Sequence, residues 1–265
     1  MKPGVCYATS MTLMHLFGIV AIVVLLYMTA WFGLARALQR ADAVDSAWGL
    51  GFVAVAWTAL VAAGNHHMAA VLAALFVTVW GVRLCFHITK RNVRKPEDYR
   101  YQAYREKWGK RFWLQAYVRI FLVQGILLSL ISLPVIAVMH RGTNLTVVAI
   151  AGFVVWAAGI VCESLGDYQL QQFLKTRKKG EIMQRGLWKY SRHPNYFGEV
   201  TAWWGAAIVA VAYRQWWGVL GALVITVLIT KVSGIPPLEK HYEGNAAYQE
   251  YAKRTSVLVP LPPRK

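Results

Sequence analysis

The chain has 265 residues, 57% of them hydrophobic, and a formal net charge of +17. Its apolar residues fall in blocks rather than being scattered, which argues against an ordinary soluble domain. Three cysteines without CxxC or CxxH spacing give no disulfide framework and no zinc or iron–sulfur site, and the basic residues sit in short loops without a nucleic-acid motif.

A membrane-spanning helix needs about 20 apolar residues. Seven blocks qualify, at approximately 11–35, 48–65, 68–88, 113–139, 145–165, 197–213 and 216–230. The first is too long for the apolar region of a secretion signal, and the sequence after it, from Ala35 to Arg40, is no convincing cleavage site, so it is read as the first helix. The fourth is long enough to tilt or to break near Gly125. The sixth and seventh, parted only by Arg214 and Gln215, should form a tight hairpin. The expected fold is all-α, a multi-pass transmembrane helical bundle of about seven spans. No repeat, low-complexity tract or long linker interrupts it, so residues 1–265 are read as a single membrane domain.

Seven crossings put 24 of the 29 Lys and Arg residues on one side. The positive-inside rule then predicts an outside N-terminus and a cytoplasmic C-terminus. Attraction to anionic lipid accounts for most of these lysines. His66-His67 is a weak metal signal, and no metal is expected.

Three cytoplasmic segments and the tail hold the unusual polar residues. In residues 88–113, Tyr101, Tyr104 and Trp108 have the spacing of an interfacial helix. Such a helix leaves Glu97 and Asp98 unexplained, because anionic side chains gain nothing at an anionic surface. In the fifth block Glu163 and Asp167 are four apart, and Gln171 and Lys175 continue the stripe. An ionised carboxylate costs on the order of 3 kcal/mol at the bilayer centre, so both should face protein or water, in a salt bridge that fixes helix register or in a ligand site. In residues 185–200, Pro194 suits a first helical turn. The free N–H groups of that turn and the planar fork of Arg192 suit an anion, while Asn195 can both donate and accept. The tail, with Tyr248 and Tyr251 three apart, reads either as an amphipathic segment on the membrane or as a flap over a ligand.

The run Gly186-Leu187-Trp188-Lys189-Tyr190-Ser191-Arg192-His193-Pro194-Asn195-Tyr196-Phe197-Gly198-Glu199 resembles the signature of a membrane superfamily. That superfamily contains sterol C=C reductases, steroid 5α-reductases and isoprenylcysteine carboxyl methyltransferases. Asp45-Ser46-Ala47-Trp48-Gly49, Glu97-Asp98-Tyr99-Arg100-Tyr101 and Leu238-Glu239-Lys240 add to a resemblance to a bacterial branch related to the steroid 5α-reductase C-terminal domain, over roughly residues 40–260. The resemblance implies that residues 166–265 form the cofactor-binding part. It implies NADPH in the reductases and S-adenosylmethionine in the methyltransferases. Asn195 after the proline, and the basic cluster Lys175, Arg177, Lys178 and Lys179, favour NADPH.

The expected cofactor contacts are Asp167, Lys175, Arg177, Trp188, Arg192, His193, Asn195, Tyr196, Glu199, Glu239, Tyr248 and Tyr251. Asp98, Tyr101 and Glu199 are the expected catalytic residues, with Asp98 and Tyr101 as candidate proton donors. Steroid 5α-reductases pair a glutamate on an early helix with a tyrosine on the next. Here the early region offers Asp45 and the next helix offers Trp80, so that pair does not transfer. The expected activity is NADPH-dependent reduction of a C=C bond in a steroid, isoprenoid or other lipid-like enone entering from the bilayer of a bacterial inner membrane. The alternatives are an S-adenosylmethionine-dependent methyltransferase and a non-enzymatic lipid-binding protein.

Overall fold

The computed structural model describes residues 11–264 apart from Arg94 and Lys179, so Lys2, Cys6 and Lys265 also lie outside the described residues. Helices dominate, and six stretches are long and apolar enough to cross a bilayer: Leu13–Ala37, Ala43–Ala63, Met68–Val93, Tyr99–Ile131, Val147–Thr176 and Trp216–His241. The protein is an all-α, multi-pass membrane protein. The sixth apolar block of the sequence is absent from this set. Its helix, Pro194–Ala212, carries Asn195, Tyr196, Glu199, Trp203 and Trp204, which lower its hydropathy. The chain divides into two compact units, residues 1–145 and 146–265.

In the N-terminal unit, α1 (Leu13–Ala37), α2 (Ala43–Ala63) and α3 (Met68–Val93) are long helices. Then come α4 (Tyr99–Trp108), α5 (Phe112–Ala116), a π-helical stretch over Tyr117–Leu122, α6 (Val123–Ile131) and α7 (Leu133–Arg141). α2 and α3 approach most closely at Gly49 and Gly81: a Cβ on either would strike the other's carbonyl oxygen. Small residues that let backbones meet in this way are a main source of helix adhesion in lipid. The fourth apolar block breaks at Ser132, not near Gly125. Pro134 opens α7 and cannot donate a backbone hydrogen bond, and the Ser132 hydroxyl donates to Leu128 O at 2.8 Å. Gly125 instead faces Val24 and Met28, where it makes room for α1.

In the C-terminal unit, α8 (Val147–Thr176) has 30 residues. At 1.5 Å per residue it is about 45 Å long, so roughly its last ten residues exceed what the hydrocarbon core requires. α9 (Pro194–Ala212), α10 (Val219–Val227), α11 (Ile235–His241) and α12 (Ala246–Arg254) follow, with a second π-helical stretch at Leu228–Val232. α8 and α9 are in backbone contact along a stripe of glycines. A Cβ on Gly159 would fall on the Ala202 nitrogen, one on Gly198 on the Glu163 nitrogen, and one on Gly205 on the Trp156 nitrogen. Gly152, Gly159 and Gly166 recur every seven residues, as do Gly198 and Gly205. The two helices therefore lie as close as backbones can, in one fixed register, and that register sets the polar groups of α8 against the mouth of α9.

Candidate functional site

The polar groups of the N-terminal unit are tied together by Glu97, Asp98 and Tyr101. Glu97 Oε1 accepts from the Ala41 N–H at 2.7 Å and from Arg105 at 3.0 Å, closing the turn between α1 and α2. The Arg105 guanidinium also lies 4.1 Å over the Phe112 ring. Asp98 caps α4: its side chain accepts from the Arg100 N–H at 3.0 Å and from Arg100 Nε at 2.9 Å. Partial burial would raise its carboxyl, but the Arg100 hydrogen bonds outweigh this and hold it below the usual carboxylate range. At neutral pH Asp98 is thus an ionised cap, unsuited to donate a proton. The two acidic residues that lipid contact left unexplained are the fastenings of this loop.

Tyr101 is buried and its hydroxyl donates to Asp45 Oδ1 at 2.7 Å. Arg100 reaches the other Asp45 oxygen at 3.2 Å. Gln124 also bonds the tyrosine, and the Trp48 indole donates to Gln124 Oε1 at 2.6 Å. A carboxylate on an early helix is therefore paired with a tyrosine hydroxyl after all, but the tyrosine comes from α4. Trp80, on the next helix, packs edge-on against Phe52. Asp45 and Tyr101 are 56 residues apart, so no local pattern reveals the pair.

In the C-terminal unit, the 3₁₀ turn Gly186–Lys189 folds back on α8. The Trp188 indole donates to Gly166 O at 3.1 Å, and the Leu187 N–H donates to Gln169 Oε1 at 2.9 Å. Ser191 then starts a short parallel bridge with Ser256, so the tail lies beside the mouth of α9. The Ser191 hydroxyl donates to Leu258 O at 2.7 Å and accepts from the His193 N–H at 3.1 Å.

The mouth of α9 and the two short helices of the tail meet at Glu239. Its Oε1 accepts from the Tyr248 hydroxyl at 2.8 Å and from His193 Nε2 at 2.9 Å. Arg192 Nε lies 3.1 Å from the same oxygen as an ion pair, without hydrogen-bond alignment. A second Arg192 nitrogen donates to Ala252 O at 2.9 Å. Tyr251 donates to Trp188 O and, at 3.3 Å, to Ser191 O. Burial pushes the His193 imidazole below its ordinary value, although the Glu239 carboxylate pulls the other way. Burial also raises the Tyr248 and Tyr251 phenols, so both stay protonated donors. The tail is a docked strap here, and the Arg192 guanidinium is largely engaged within the protein.

One turn deeper, Asn195 meets Asp167. The Asn195 amide nitrogen donates to Asp167 Oδ1 at 3.1 Å. A carboxylate accepts only, which fixes the amide orientation. The Asn195 carbonyl oxygen then points away, buried and without a hydrogen-bond partner. Glu163 and Asp167 are both buried, and Glu199 is half-buried one turn further along α9. Tyr196 stacks on His193 with ring centroids 5.6 Å apart. Lys175 and Arg177 are exposed at the end of α8, where Lys175 Nζ donates to Gln172 at 3.1 Å. Lys179 lies outside the described residues. The unit thus gathers Asp167, Trp188, Arg192, His193, Asn195, Tyr196, Glu239, Tyr248 and Tyr251 around one helix mouth.

These residues suit a nicotinamide dinucleotide. The unpartnered Asn195 oxygen can accept from a carboxamide, and the exposed cations at the α8 end can meet phosphates.

Comparison with known proteins identifies the family. The family described as "Protein of unknown function (DUF1295)" matches residues 31–255. The chain is also similar to 3-oxo-5-alpha-steroid 4-dehydrogenase 1 of Rattus norvegicus, with 28% identity over 114 residues, 42% of this chain and 41% of that protein. The same enzyme of Macaca fascicularis is 31% identical over 111 residues, and that of Homo sapiens 29% over 112, each covering 42% of this chain and 40% of the relative. The matches span about two fifths of the length of these relatives. No solved structure matches the chain.

Proposed function

The chain belongs to the DUF1295 family and is related to the steroid 5α-reductases, and from that premise we propose that it is an NADPH-dependent membrane reductase of a C=C bond in a lipid-like substrate. The substrate class is a steroid, isoprenoid or comparable enone entering from the bilayer, with the cofactor taken from the cytoplasm. The observation that carries this reading is the Asn195 amide, with its nitrogen on Asp167 and its oxygen buried without a partner. An unsatisfied buried acceptor costs about 1–3 kcal/mol, which a ligand N–H would offset.

Bound NADPH supplies a hydride; the protein supplies position, polarity and a proton. Asn195, held by Asp167, orients the carboxamide end. Lys175 and Arg177, exposed at the end of α8, would meet the phosphates, whereas Arg192 is held by Glu239 and Ala252. Glu239, Tyr248 and Tyr251 act through Arg192, His193 and the 188–191 backbone, which they hold in place. Glu199 is assigned to the nicotinamide end by its position one turn along α9. Within the N-terminal unit, Tyr101 is the proton donor to a polarised substrate oxygen, and Asp45 aims its hydroxyl. Asp98 keeps the role of cap, which fixes the start of α4 and so the place of Tyr101.

The test is incubation of the purified protein with a lipid extract and deuterated NADPH. Products that carry the deuterium are expected. Methylated products formed from S-adenosylmethionine, with no deuterium transfer, would overturn the proposal.

A further inference from the structure

The tail turns apolar side chains outward. After α12 it runs along the mouth of α9: the Arg192 N–H donates to Ser256 O at 2.8 Å, and the Leu261 N–H donates to Tyr190 O at 3.0 Å. Leu258, whose carbonyl holds Ser191, and Pro260 are half-buried. Val257, Val259 and Leu261 alternate with them and are 42%, 52% and 51% exposed; Tyr190, beside Leu261, is 41% exposed. All four lie outside the six long apolar stretches, so no crossing helix accounts for their exposure.

Depth and charge say what meets this face. The first twenty residues of α8, Val147 to Gly166, are enough to cross the hydrocarbon core. The Asn195 backbone sits directly against Gly166, so the mouth of α9 stands at the edge of that core. The tail lies beside the mouth through Ser191 and Ser256, and is therefore at the level of lipid headgroups. Residues 185–192 and 251–264 contain no Asp or Glu, whereas Lys189, Lys253, Arg254 and Arg264 are exposed. The adjoining Glu250 pairs only at long range, 3.5 Å from Lys253 and 3.9 Å from Arg254.

We propose that the outer face of the tail is a docking surface for anionic phospholipid. Val257, Val259 and Leu261 enter the headgroup region, and the four cations meet the lipid phosphates and carboxylates. Apolar burial joined to attraction between cations and anionic lipid is how interfacial segments are held. A second copy of the chain would bring like charges together, and a soluble acidic partner would have to displace lipid to reach the apolar side chains. The bilayer thus closes the strap from outside, as Tyr251 does from inside, and headgroup composition governs access to the mouth of α9. This docking is independent of the chemistry at Asn195.

The test uses the full-length chain in nanodiscs of phosphatidylcholine, with and without phosphatidylserine. Amide exchange across residues 256–261 of the unsubstituted chain should slow in phosphatidylserine, roughly fivefold for each cation engaged. Lys253→Gln with Arg254→Gln should remove part of that difference. A nitroxide attached through Val259→Cys should relax more with oxygen, which concentrates in lipid, than with a water-soluble nickel chelate. The unsubstituted chain, labelled in parallel, subtracts the signal of Cys6, Cys85 and Cys162. A label relaxed chiefly by the nickel chelate would place the tail in water and overturn the proposal. Spin–spin broadening between labels would overturn it in favour of a second copy. Exchange indifferent to phosphatidylserine would overturn the role of anionic lipid.

Discussion

Asn195 gives its amide nitrogen to Asp167 at 3.1 Å and keeps its carbonyl oxygen buried without a partner. The contact exists because α8 and α9 touch through glycine, and Gly166 lies directly against the Asn195 backbone. Packing thus precedes chemistry: without the stripe, Asp167 would stand a side chain's width further off.

Substituting Gly198→Ala tests that dependence. The added methyl meets the Glu163 backbone, which cannot move aside. Overpacking of this kind costs about 1–3 kcal/mol. A lower melting temperature in detergent is expected, together with weaker NADPH binding. Gly18→Ala, on α1 with open space around it, should leave both unchanged.

Much of this was readable in the sequence, and the limits have physical causes. The four-residue spacing of Glu163 and Asp167 and the cost of a charge in lipid are enough to turn both inward. Helix identity follows from apolar blocks alone. Pairings between distant residues do not. Tyr101 with Asp45, Arg192 with Glu239, and Ser191 with Ser256 depend on how elements meet, which no local period encodes. The seven-residue recurrence of Gly152, Gly159 and Gly166 is a legible signal for the α8–α9 contact, one that hydropathy does not carry. Pro134 likewise marked the break at Ser132 more directly than Gly125 did. The polar mouth of α9 also dilutes the apolar block behind it, which sets its mean hydropathy below that of the six long apolar stretches.

Acid should loosen the mouth of α9. The groups facing His193 are Glu239, Arg192 and Tyr196, and burial holds its folded-state value below the ordinary 6.5. As pH falls below 6.5 the unfolded chain takes up the proton first, so this contribution is complete above 6.5 and is lost as pH drops through the folded value. Melting temperature should decline from pH 7 to pH 5, and His193→Gln should flatten that part of the profile. An equal decline in the variant would assign the effect elsewhere.

Tyr251→Phe should release the strap. The substitution removes one hydroxyl that serves Trp188 O and Ser191 O, leaving buried carbonyls unsatisfied at about 1–3 kcal/mol. Faster amide exchange across residues 186–192 is expected, with α8 protection retained. Unchanged exchange there would mean that the remaining contacts, Ser191 with Ser256 and Leu258 and Arg192 with Ala252, hold the tail without Tyr251.

Tyr101→Phe should separate chemistry from folding. The ring and its packing remain, while the donor to the substrate oxygen is lost, so turnover should fall about 10²–10⁴-fold with NADPH affinity kept. Asp98→Asn keeps an N-cap and should cost turnover far less. Equal losses in the two variants would return Asp98 to the chemistry.

The most direct measurement is NADPH binding to wild type and to Asn195→Leu, read by calorimetry with S-adenosylmethionine as a parallel titrant. Leucine keeps the bulk of the side chain and removes both the free acceptor and the N–H given to Asp167. NADPH should bind the wild type, and the variant should lose about 1–3 kcal/mol, roughly five- to 150-fold. Binding of S-adenosylmethionine alone, or NADPH affinity indifferent to the substitution, would contradict the site.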